Sequence, residues 1–218
     1  MANGKVVLYT YFRSTASTWV RIALNYKGIE YTPEFINLQK GEQNSEKYGE
    51  ISSTHYVPCL DIDGVKLIES MSIIHYLEET RPERPLLPSD PIQRAQARTI
   101  ASMIASGIQP LHNSSVLAGF PEEERTPRAA NAIIKGFKAI EKFLKNSSGK
   151  YCVGDHITLA DVYLFGSCLT SLRYNVNLNE FGLIYKVFQN LEKIESFQQG
   201  AWYNQPDCPE NLKPGNTN

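Results

Sequence analysis

Four hydroxyl side chains lie within five residues near the start of the chain, at Ser14, Thr15, Ser17 and Thr18. The β-branched and aromatic residues 6–11 before them predict a buried strand, and the apolar spacing after them predicts a helix that ends at Gly28. Backbone N–H groups in the first turn of a helix have no intrahelical partner, and the helix dipole is positive there. The cluster therefore predicts an anion site, with a simple helix N-cap at Ser14 or Ser17 as the alternative.

Two further polar groups are candidates for ligand binding. Glu69-Ser70 opens a predicted helix and offers backbone N–H groups, a hydroxyl and a carboxylate, which suit an α-amino acid; an N-cap is the alternative. Gln109 and Asn113 are four residues apart, so on a helix they share a face, and Pro110 is expected to bend that helix. From spacing alone, this face could bind a ligand or close a domain or dimer contact.

Composition excludes several classes of function. The 218 residues carry 22 basic and 23 acidic side chains without basic clusters, which argues against nucleic-acid or anionic-membrane partners. No apolar run reaches the ~20 residues that span a bilayer, and the start of the chain shows no signal-peptide pattern, so we expect a cytoplasmic protein. The four cysteines form no C-x-x-C pair and the histidines no ligand cluster, which predicts buried reduced thiols and no metal.

The elements that must position these groups follow a β-α-β, link, β-β-α order. Residues 31–36 predict a second strand, and residues 56–62 and 65–68 predict a hairpin around Asp63-Gly64. This order within residues 1–81 predicts an α/β thioredoxin-like domain. The proline-rich residues 82–90 predict a linker.

Residues 91–218 predict an all-helical domain. Its first helix is expected to begin at Pro91 and to continue through Ile108, and further helices are expected over 129–145 and 184–194. Thr158 and Asp161 form a variant capping box, which predicts the start of an apolar central helix. The last dozen residues are expected to form a tail.

Several motifs resemble the zeta class of glutathione transferases. The run Ser14 to Leu24, the sequence Gly-Ile-Gln-Pro-Leu-x-Asn at residues 107–113 and the Tyr-Cys-Val-Gly-Asp run at 151–155 resemble that family's patterns. The resemblance covers about residues 5–210 and implies the two-domain glutathione transferase architecture. The family has a cysteine where this chain has Ala16, and this change is expected to leave glutathione affinity intact and to lower isomerase turnover.

The resemblance also implies the roles of individual residues toward glutathione as cofactor. Ser14 is expected to donate its hydroxyl to the thiol, with Ser17 as the alternative. Val57-Pro58 is expected to be cis, with the Val57 backbone pairing with the ligand as an added strand. Arg173 is expected to face a dicarboxylate substrate, with a plain surface arginine as the alternative. The remaining cofactor contacts implied are Thr15, Ala16, Ser17, Thr18, Trp19, Gln43, Pro58, Glu69, Ser70, Gln109, Asn113, Ser114 and Ser115.

The implied activity is the glutathione-dependent isomerisation of maleylacetoacetate to fumarylacetoacetate, a step of tyrosine and phenylalanine catabolism. In that reaction the thiolate adds to the cis double bond, the resulting single bond rotates, and elimination returns glutathione. Two alternatives stay open: transfer of glutathione to small α-haloacids or other electrophiles, and a non-catalytic glutathione-fold module that binds partners. The partners expected are a small carboxylate substrate and a second copy of the chain, because the linker and the Gln109 face suit an intersubunit cleft.

Overall fold

A computed structural model describes residues 5–215 of the chain. It contains two compact units. Unit 1 comprises the residues up to Arg84 together with those from Ser196 onward, and unit 2 comprises Pro85–Glu195. Among the residues described, no helix is long and apolar enough to cross a membrane.

Unit 1 is built on a four-stranded mixed sheet. Its strands are β1 (Val7–Thr10), β2 (Thr32–Phe35), β3 (Cys59–Ile62) and β4 (Val65–Ile68), in the spatial order β2-β1-β3-β4. β1 pairs parallel with β2 and antiparallel with β3, and β3 pairs antiparallel with β4. The helices are α1 (Thr15–Lys27), the short α2 (Glu46–Gly49) and α3 (Ser70–Thr80). The α/β thioredoxin-like prediction is therefore confirmed.

Local sequence explains the strand and helix boundaries of unit 1. Ser14 caps α1 with its side chain, and Gly28 ends the helix with a φ of 71°, which a residue without a Cβ adopts easily. Asp63 and Gly64 both have positive φ, at 53° and 80°, as a tight hairpin turn between twisted strands requires. The hairpin prediction is confirmed.

Unit 2 is helical. Its elements are α4 (Pro91–Ala105), α5 (Ser114–Leu117), α6 (Glu122–Ser147), α7 (Leu159–Arg173) and α8 (Gly182–Leu191), and α9 (Glu195–Gly200) follows across the boundary. The predicted central helix is confirmed as α7, in which 12 of 15 residues are buried. Buried Asp161 closes its start by accepting hydrogen bonds from Thr158 N (2.8 Å), Thr158 Oγ1 (3.0 Å) and Cys152 N (2.8 Å). These donors offset the desolvation that raises the pKa of this carboxyl.

The structure differs from the prediction for α4 at the end of this helix. The helix stops at Ala105 instead of running through Ile108, and a separate 3₁₀ turn covers Gln109–His112. Pro110 lacks the N–H that a continuous helix would need. On α4 the buried face consists of Ala97, Ile100, Ala101 and Ile104, whereas Ile92 in its first turn is 69% exposed.

The C-terminal region also differs from the expectation. Residues from Ser196 onward belong to unit 1, whereas the sequence pattern predicted a helical domain over residues 91–218 and a tail over the last dozen residues. Asp207 bonds to the backbone of Phe12, and Cys208 is buried against Phe12 and Tyr11. The pattern of residues near the end gave no sign of partners some 195 positions away. All four cysteines are free and buried, as expected.

Candidate active site

Strand register brings three of the candidate segments to one end of the sheet in unit 1. Tyr9 of β1 pairs with Cys59 of β3, and Cys59 pairs with Ile68 of β4. At this end of the sheet, β1 leads into the turn before Ser14, the Val57-Pro58 step precedes β3, and Glu69-Ser70 follows β4. Segments that are far apart in sequence therefore share one edge of the fold.

Ser14 keeps a hydrogen-bond donor available at the start of α1. Its Oγ accepts the Ser17 N–H at 3.2 Å, so it caps the helix, and its own hydroxyl hydrogen has no acceptor among the described residues. The side chain is partly exposed, as is Ala16. Capping and donation to a ligand use different parts of one hydroxyl, so the two readings of Ser14 are compatible.

The other side chains of this turn are buried. Ser17 is fully buried, and its Oγ has no hydrogen-bond partner among residues 5–215. Thr18 donates to Ser14 O at 3.1 Å, and Trp19 is 1% exposed. Thr15 is 8% exposed. Of the hydroxyls in this cluster, Ser14 is the one most accessible to a ligand.

A buried arginine that the sequence analysis overlooked holds this turn from behind. Arg21 donates to the carbonyl oxygens of Tyr11 (3.3 Å) and Phe12 (3.2 Å) and to Thr18 Oγ1 (2.8 Å). Burial lowers its pKa to about 10, which still leaves the guanidinium charged at neutral pH. The signal available was a charged residue inside the apolar run Trp19 to Leu24, where a helix that packs against a sheet should carry none.

The Val57-Pro58 step presents unpaired backbone. The peptide bond is cis, as the resemblance implied. The preceding carbonyl, Tyr56 O, accepts from Tyr48 Oη (2.9 Å) and Ser52 Oγ (3.1 Å), but within the described part of the chain no bond is formed by the N–H or C=O of Val57. Those two groups can pair with an extended peptide, which is strand addition.

Glu69 and Ser70 form the start of α3 with unusual backbone geometry. Glu69 has φ 65° and ψ 112°, a region that side-chain-bearing residues rarely adopt, and its exposed carboxylate forms no ion pair with any described residue. Such strained positions cluster at ligand clamps. A carboxylate that is open to solvent next to free helix N–H groups can bind an amino group and a carboxylate together.

Gln43 lies in the link between β2 and β3. Its backbone carbonyl is bonded to His55 Nδ1 at 2.7 Å, and its side-chain Oε1 is buried with no partner among the residues described. A buried amide oxygen without a donor indicates room for a hydrogen bond from a ligand or from water.

In unit 2, the idea that Gln109 and Asn113 share a helix face was wrong. Gln109 starts the 3₁₀ turn, and Asn113 has extended backbone with φ −62° and ψ 137°. The Asn113 side chain accepts from Ser115 N and Ser115 Oγ, both at 3.1 Å, so it caps α5. Gln109 is partly exposed, and Ser114 and Ser115 are exposed.

Arg173 is the exposed last residue of α7. Its guanidinium stacks 4.7 Å from the centre of the Tyr174 ring and donates to the Tyr174 hydroxyl, which in turn reaches His112 O at 3.4 Å. It forms no ion pair within residues 5–215, so most of its five N–H donors remain available to a carboxylate. This arrangement suits anion recognition.

His112 was not singled out from the sequence. It is 4% exposed, its Nε2 has no partner among the described residues, and burial lowers its pKa to about 4. The imidazole is therefore neutral near pH 7. The nearby Arg173 charge adds to this effect.

The donor set of unit 1 fits glutathione, a tripeptide thiol with a charged amino acid at one end. Val57 offers a backbone edge for its peptide groups, Glu69 and the α3 N-terminus offer partners for the amino acid end, and the Ser14 hydroxyl with the α1 N-terminus offers partners for the thiol. The buried Gln43 oxygen adds one unsatisfied acceptor. The peptide groups, the charged amino acid end and the thiol of this ligand thus each have a chemically matched group in unit 1.

Comparison with known proteins gives a consistent result. Residues 8–85 match the family model described as Glutathione S-transferase, N-terminal domain, and residues 113–205 match Glutathione S-transferase, C-terminal domain. The maleylacetoacetate isomerase of Rattus norvegicus is 46% identical over 215 residues, covering 98% of this chain and 100% of that protein. The probable maleylacetoacetate isomerase 2 of Drosophila melanogaster is 47% identical over 208 residues, covering 94% and 92%.

Solved structures agree. A bacterial maleylpyruvate isomerase, described as a zeta-class glutathione S-transferase in its holo form, has a TM-score of 0.90 at 33% identity and covers 93% of this chain and 100% of its own. A maleylacetoacetate isomerase of Methylobacterium extorquens AM1 with bound malonate and glutathione has a TM-score of 0.89 at 32% identity, covering 93% and 99%.

Proposed function

The chain belongs to the glutathione S-transferase family, and from this premise we propose that it is a zeta-class enzyme that isomerises maleylacetoacetate to fumarylacetoacetate with glutathione as cofactor. One observation carries the proposal. The partly exposed Ser14 has no acceptor for its hydroxyl hydrogen within residues 5–215 and lies at the positive end of α1, in a chain 46% identical to the rat isomerase.

Unit 1 supplies the residues that we propose hold the cofactor. The free N–H and C=O of Val57 bind its peptide backbone, and Glu69 with Ser70 binds its amino acid end. Thr15 and Ala16 flank the thiol at the first turn of α1. Ser17, Thr18 and Trp19 act from the buried side by holding that turn.

When bound, glutathione supplies a thiol that acts as a reversible nucleophile. The chain must keep that sulfur anionic, and two features of unit 1 favour the anion. The N-terminus of α1 provides a positive dipole end, and the Ser14 hydroxyl donates a hydrogen bond.

Unit 2 supplies the proposed carboxylate receptor, Arg173. A guanidinium binds a carboxylate through two parallel N–H groups, and its stacking on Tyr174 limits its motion. We further propose that Gln109, Asn113, Ser114 and Ser115 contribute polar contacts through their backbone and exposed side chains.

Turnover tests the proposal directly. Purified protein is incubated with maleylacetone, a substrate analogue, with and without glutathione, and the cis and trans isomers are quantified. We expect isomerisation only when glutathione is present. A matched assay with an α-haloacid measures conjugation or dehalogenation. Turnover of the haloacid alone would replace the isomerase assignment with the transferase alternative, and no turnover in either assay would favour a binding module.

We also propose that the chain forms a homodimer in the cytoplasm. Its four buried free cysteines suit a reducing compartment.

The proposed dimer rests on two arginines of α4. Arg94 and Arg98 lie one turn apart and line a recess of about 550 Å³. Neither has a carboxylate partner among residues 5–215. Acidic side chains of a second copy would satisfy them. Light scattering should give twice the chain mass of 24.6 kDa, and a monomer mass would count against the proposal.

A further inference from the structure

Residues 196–208, which we name the C-terminal strap, return to unit 1 after the helices of unit 2. The strap is internally braced, because Gln205 Nε2 donates to the carbonyl oxygens of Gln199 (2.7 Å) and Ala201 (2.8 Å). Gln205 is 6% exposed. The strap is therefore an ordered element with a defined shape.

The first anchor of the strap joins it to α1. Arg21 Nε donates to Gly200 O at 3.0 Å, while the other nitrogens of the same guanidinium hold the carbonyl oxygens of Tyr11 and Phe12. A Cβ at Gly200 would press into the Ile22 side chain and lie 3.0 Å from the Ile22 backbone nitrogen. This close approach requires glycine.

The second anchor reaches the turn that precedes Ser14. Asp207 Oδ2 accepts the Phe12 N–H at 2.8 Å across 195 positions of sequence. The other carboxylate oxygen, Oδ1, is buried and has no partner within the described residues. Burial raises the pKa of Asp207, and the bond from Phe12 together with the nearby Arg21 charge counters that rise.

The third anchor is apolar. Cys208 is 4% exposed and packs in a buried cluster with Tyr11, Phe12 and Val57, against which Trp202 also lies. The strap thus bonds to Phe12, which leads into Ser14, and shares a buried cluster with Val57, whose backbone is proposed to bind the ligand.

We propose that Asp207 is a positioning residue for the Ser14 turn. Its carboxylate fixes the Phe12 N–H, and with Arg21 on the carbonyl side of the same residue it holds the backbone between β1 and α1. This sets the direction of the Ser14 hydroxyl. The inference rests on the proposed function, in which that hydroxyl stabilises the glutathione thiolate. A misplaced donor weakens such an interaction steeply, because catalytic groups act only within narrow geometry.

The test compares Asp207→Ala with Asp207→Asn, which keeps an oxygen acceptor for Phe12 but removes the charge. Glu210→Ala is the control, since it deletes an exposed carboxylate three positions further along. The first readout needs no ligand: hydrogen exchange of the Phe12 amide by NMR. The second is the apparent pKa of the bound glutathione thiol, followed by ultraviolet absorbance.

We expect Asp207→Ala to speed exchange of the Phe12 amide at least fivefold, to raise the thiol pKa and to lower kcat/KM roughly tenfold. In Asp207→Asn the exchange rate of the Phe12 amide and kcat/KM should lie within about threefold of the parent, and the thiol pKa should return toward the parent value. Glu210→Ala should change none of these quantities. If Asp207→Ala leaves the exchange rate and the thiol pKa unchanged, or if Asp207→Asn is as defective as Asp207→Ala, the inference is wrong.

Two further variants keep the result interpretable. Should Asp207→Ala fail to fold, Asp207→Glu moves the carboxylate by one methylene and should also speed Phe12 exchange; unchanged exchange would overturn the inference. Ser14→Ala separates this inference from the proposed function. If Ser14→Ala leaves the thiol pKa unchanged, the role of Ser14 fails. If Ser14→Ala raises it and Asp207→Ala does not, only the role of Asp207 fails.

Discussion

Replacing Ser14 with alanine removes the most accessible hydroxyl donor at the start of α1 while leaving the helix dipole in place. We expect this change to raise the pKa of the bound glutathione thiol and to leave glutathione affinity nearly unchanged. The variant also loses the N-cap bond to Ser17 N, which should cost about 1 kcal/mol of stability. Stability must therefore be measured separately from thiol ionisation.

The expected rise in the thiol pKa follows from the two groups that stabilise the thiolate, the helix N-terminus and the Ser14 hydroxyl. Lowering a thiol pKa by about two units from a reference near 8.5 takes roughly 2.7 kcal/mol, at about 1.36 kcal/mol per unit. A helix N-terminus contributes about 0.3–1 kcal/mol and at best ~2, whereas a hydrogen bond to a charged acceptor contributes about 1.5–3 kcal/mol. Loss of the hydroxyl should thus raise the thiol pKa by about 1–2 units. If the parent pKa is about 6.5, the thiolate fraction at about pH 7 falls roughly 3- to 25-fold.

The assay is a titration of the enzyme with bound glutathione, in which ultraviolet absorbance reports the thiolate. The activity of Ser14→Ala should recover as pH rises, because the thiol ionises without the hydroxyl once pH exceeds its raised pKa. Ser17→Ala tests the alternative hydroxyl: its Oγ is buried and has no partner among the described residues, so it should shift the titration curve less than Ser14→Ala does.

Two results would refute the reasoning. An unchanged thiol pKa in Ser14→Ala would mean that the dipole or another group stabilises the anion. A larger shift in Ser17→Ala than in Ser14→Ala would transfer the role by three residues and require the turn to open on binding. A drop in activity that higher pH does not restore would indicate damage to the fold and not to thiol ionisation.

Three further predictions follow from the structure. Arg173→Ala should raise KM for a dicarboxylate substrate roughly tenfold without changing glutathione affinity; an unchanged KM would make Arg173 a plain surface residue. The pKa of His112 is about 4 in the folded chain and about 6.5 unfolded, so the unfolded state binds more protons between these values and stability falls on acidification. Urea unfolding should show that this group lowers the free energy of unfolding by about 2 kcal/mol between about pH 7.5 and 5. His112→Gln should remove this part of the pH dependence of stability; an unchanged pH dependence would show that His112 is not its source. Ala16→Cys should raise kcat on maleylacetone up to roughly tenfold with little change in KM for glutathione, as a weak S–H donor allows; no increase would mean that this position does not limit turnover.

Short-range patterns predicted much of this molecule. The strand that leads into α1, the Asp63-Gly64 hairpin and the Thr158–Asp161 cap each depend on residues within a few positions of one another, and the structure confirms all three. The cis Val57-Pro58 bond required more than local sequence. It was expected from the order of elements around it and from the family resemblance.

Two of the misses, at Arg21 and at Asp207, involve contacts between distant residues. Arg21 is buried because its acceptors include Gly200, 179 positions away, and no helical pattern predicts such a partner. The tail prediction failed at Asp207 for the same reason. At Gln109, the helical pattern was locally plausible, but Pro110 placed the chain in a 3₁₀ turn and Asn113 became the cap of α5. Periodicity describes which face is apolar, and it does not reveal where a proline ends the helix.

The division of the chain between the two units has a consequence for biosynthesis. Unit 1 takes its sheet from the first 84 residues, whereas the strap lies beyond residue 195. During translation the sheet leaves the ribosome early, but Arg21 lacks its Gly200 acceptor and Phe12 lacks Asp207 until all of unit 2 has been synthesised. Domains generally fold in the order in which they emerge. Here the domain made first is completed last, so a nascent chain that stalls within unit 2 carries Arg21 and the turn before Ser14 without their final supports.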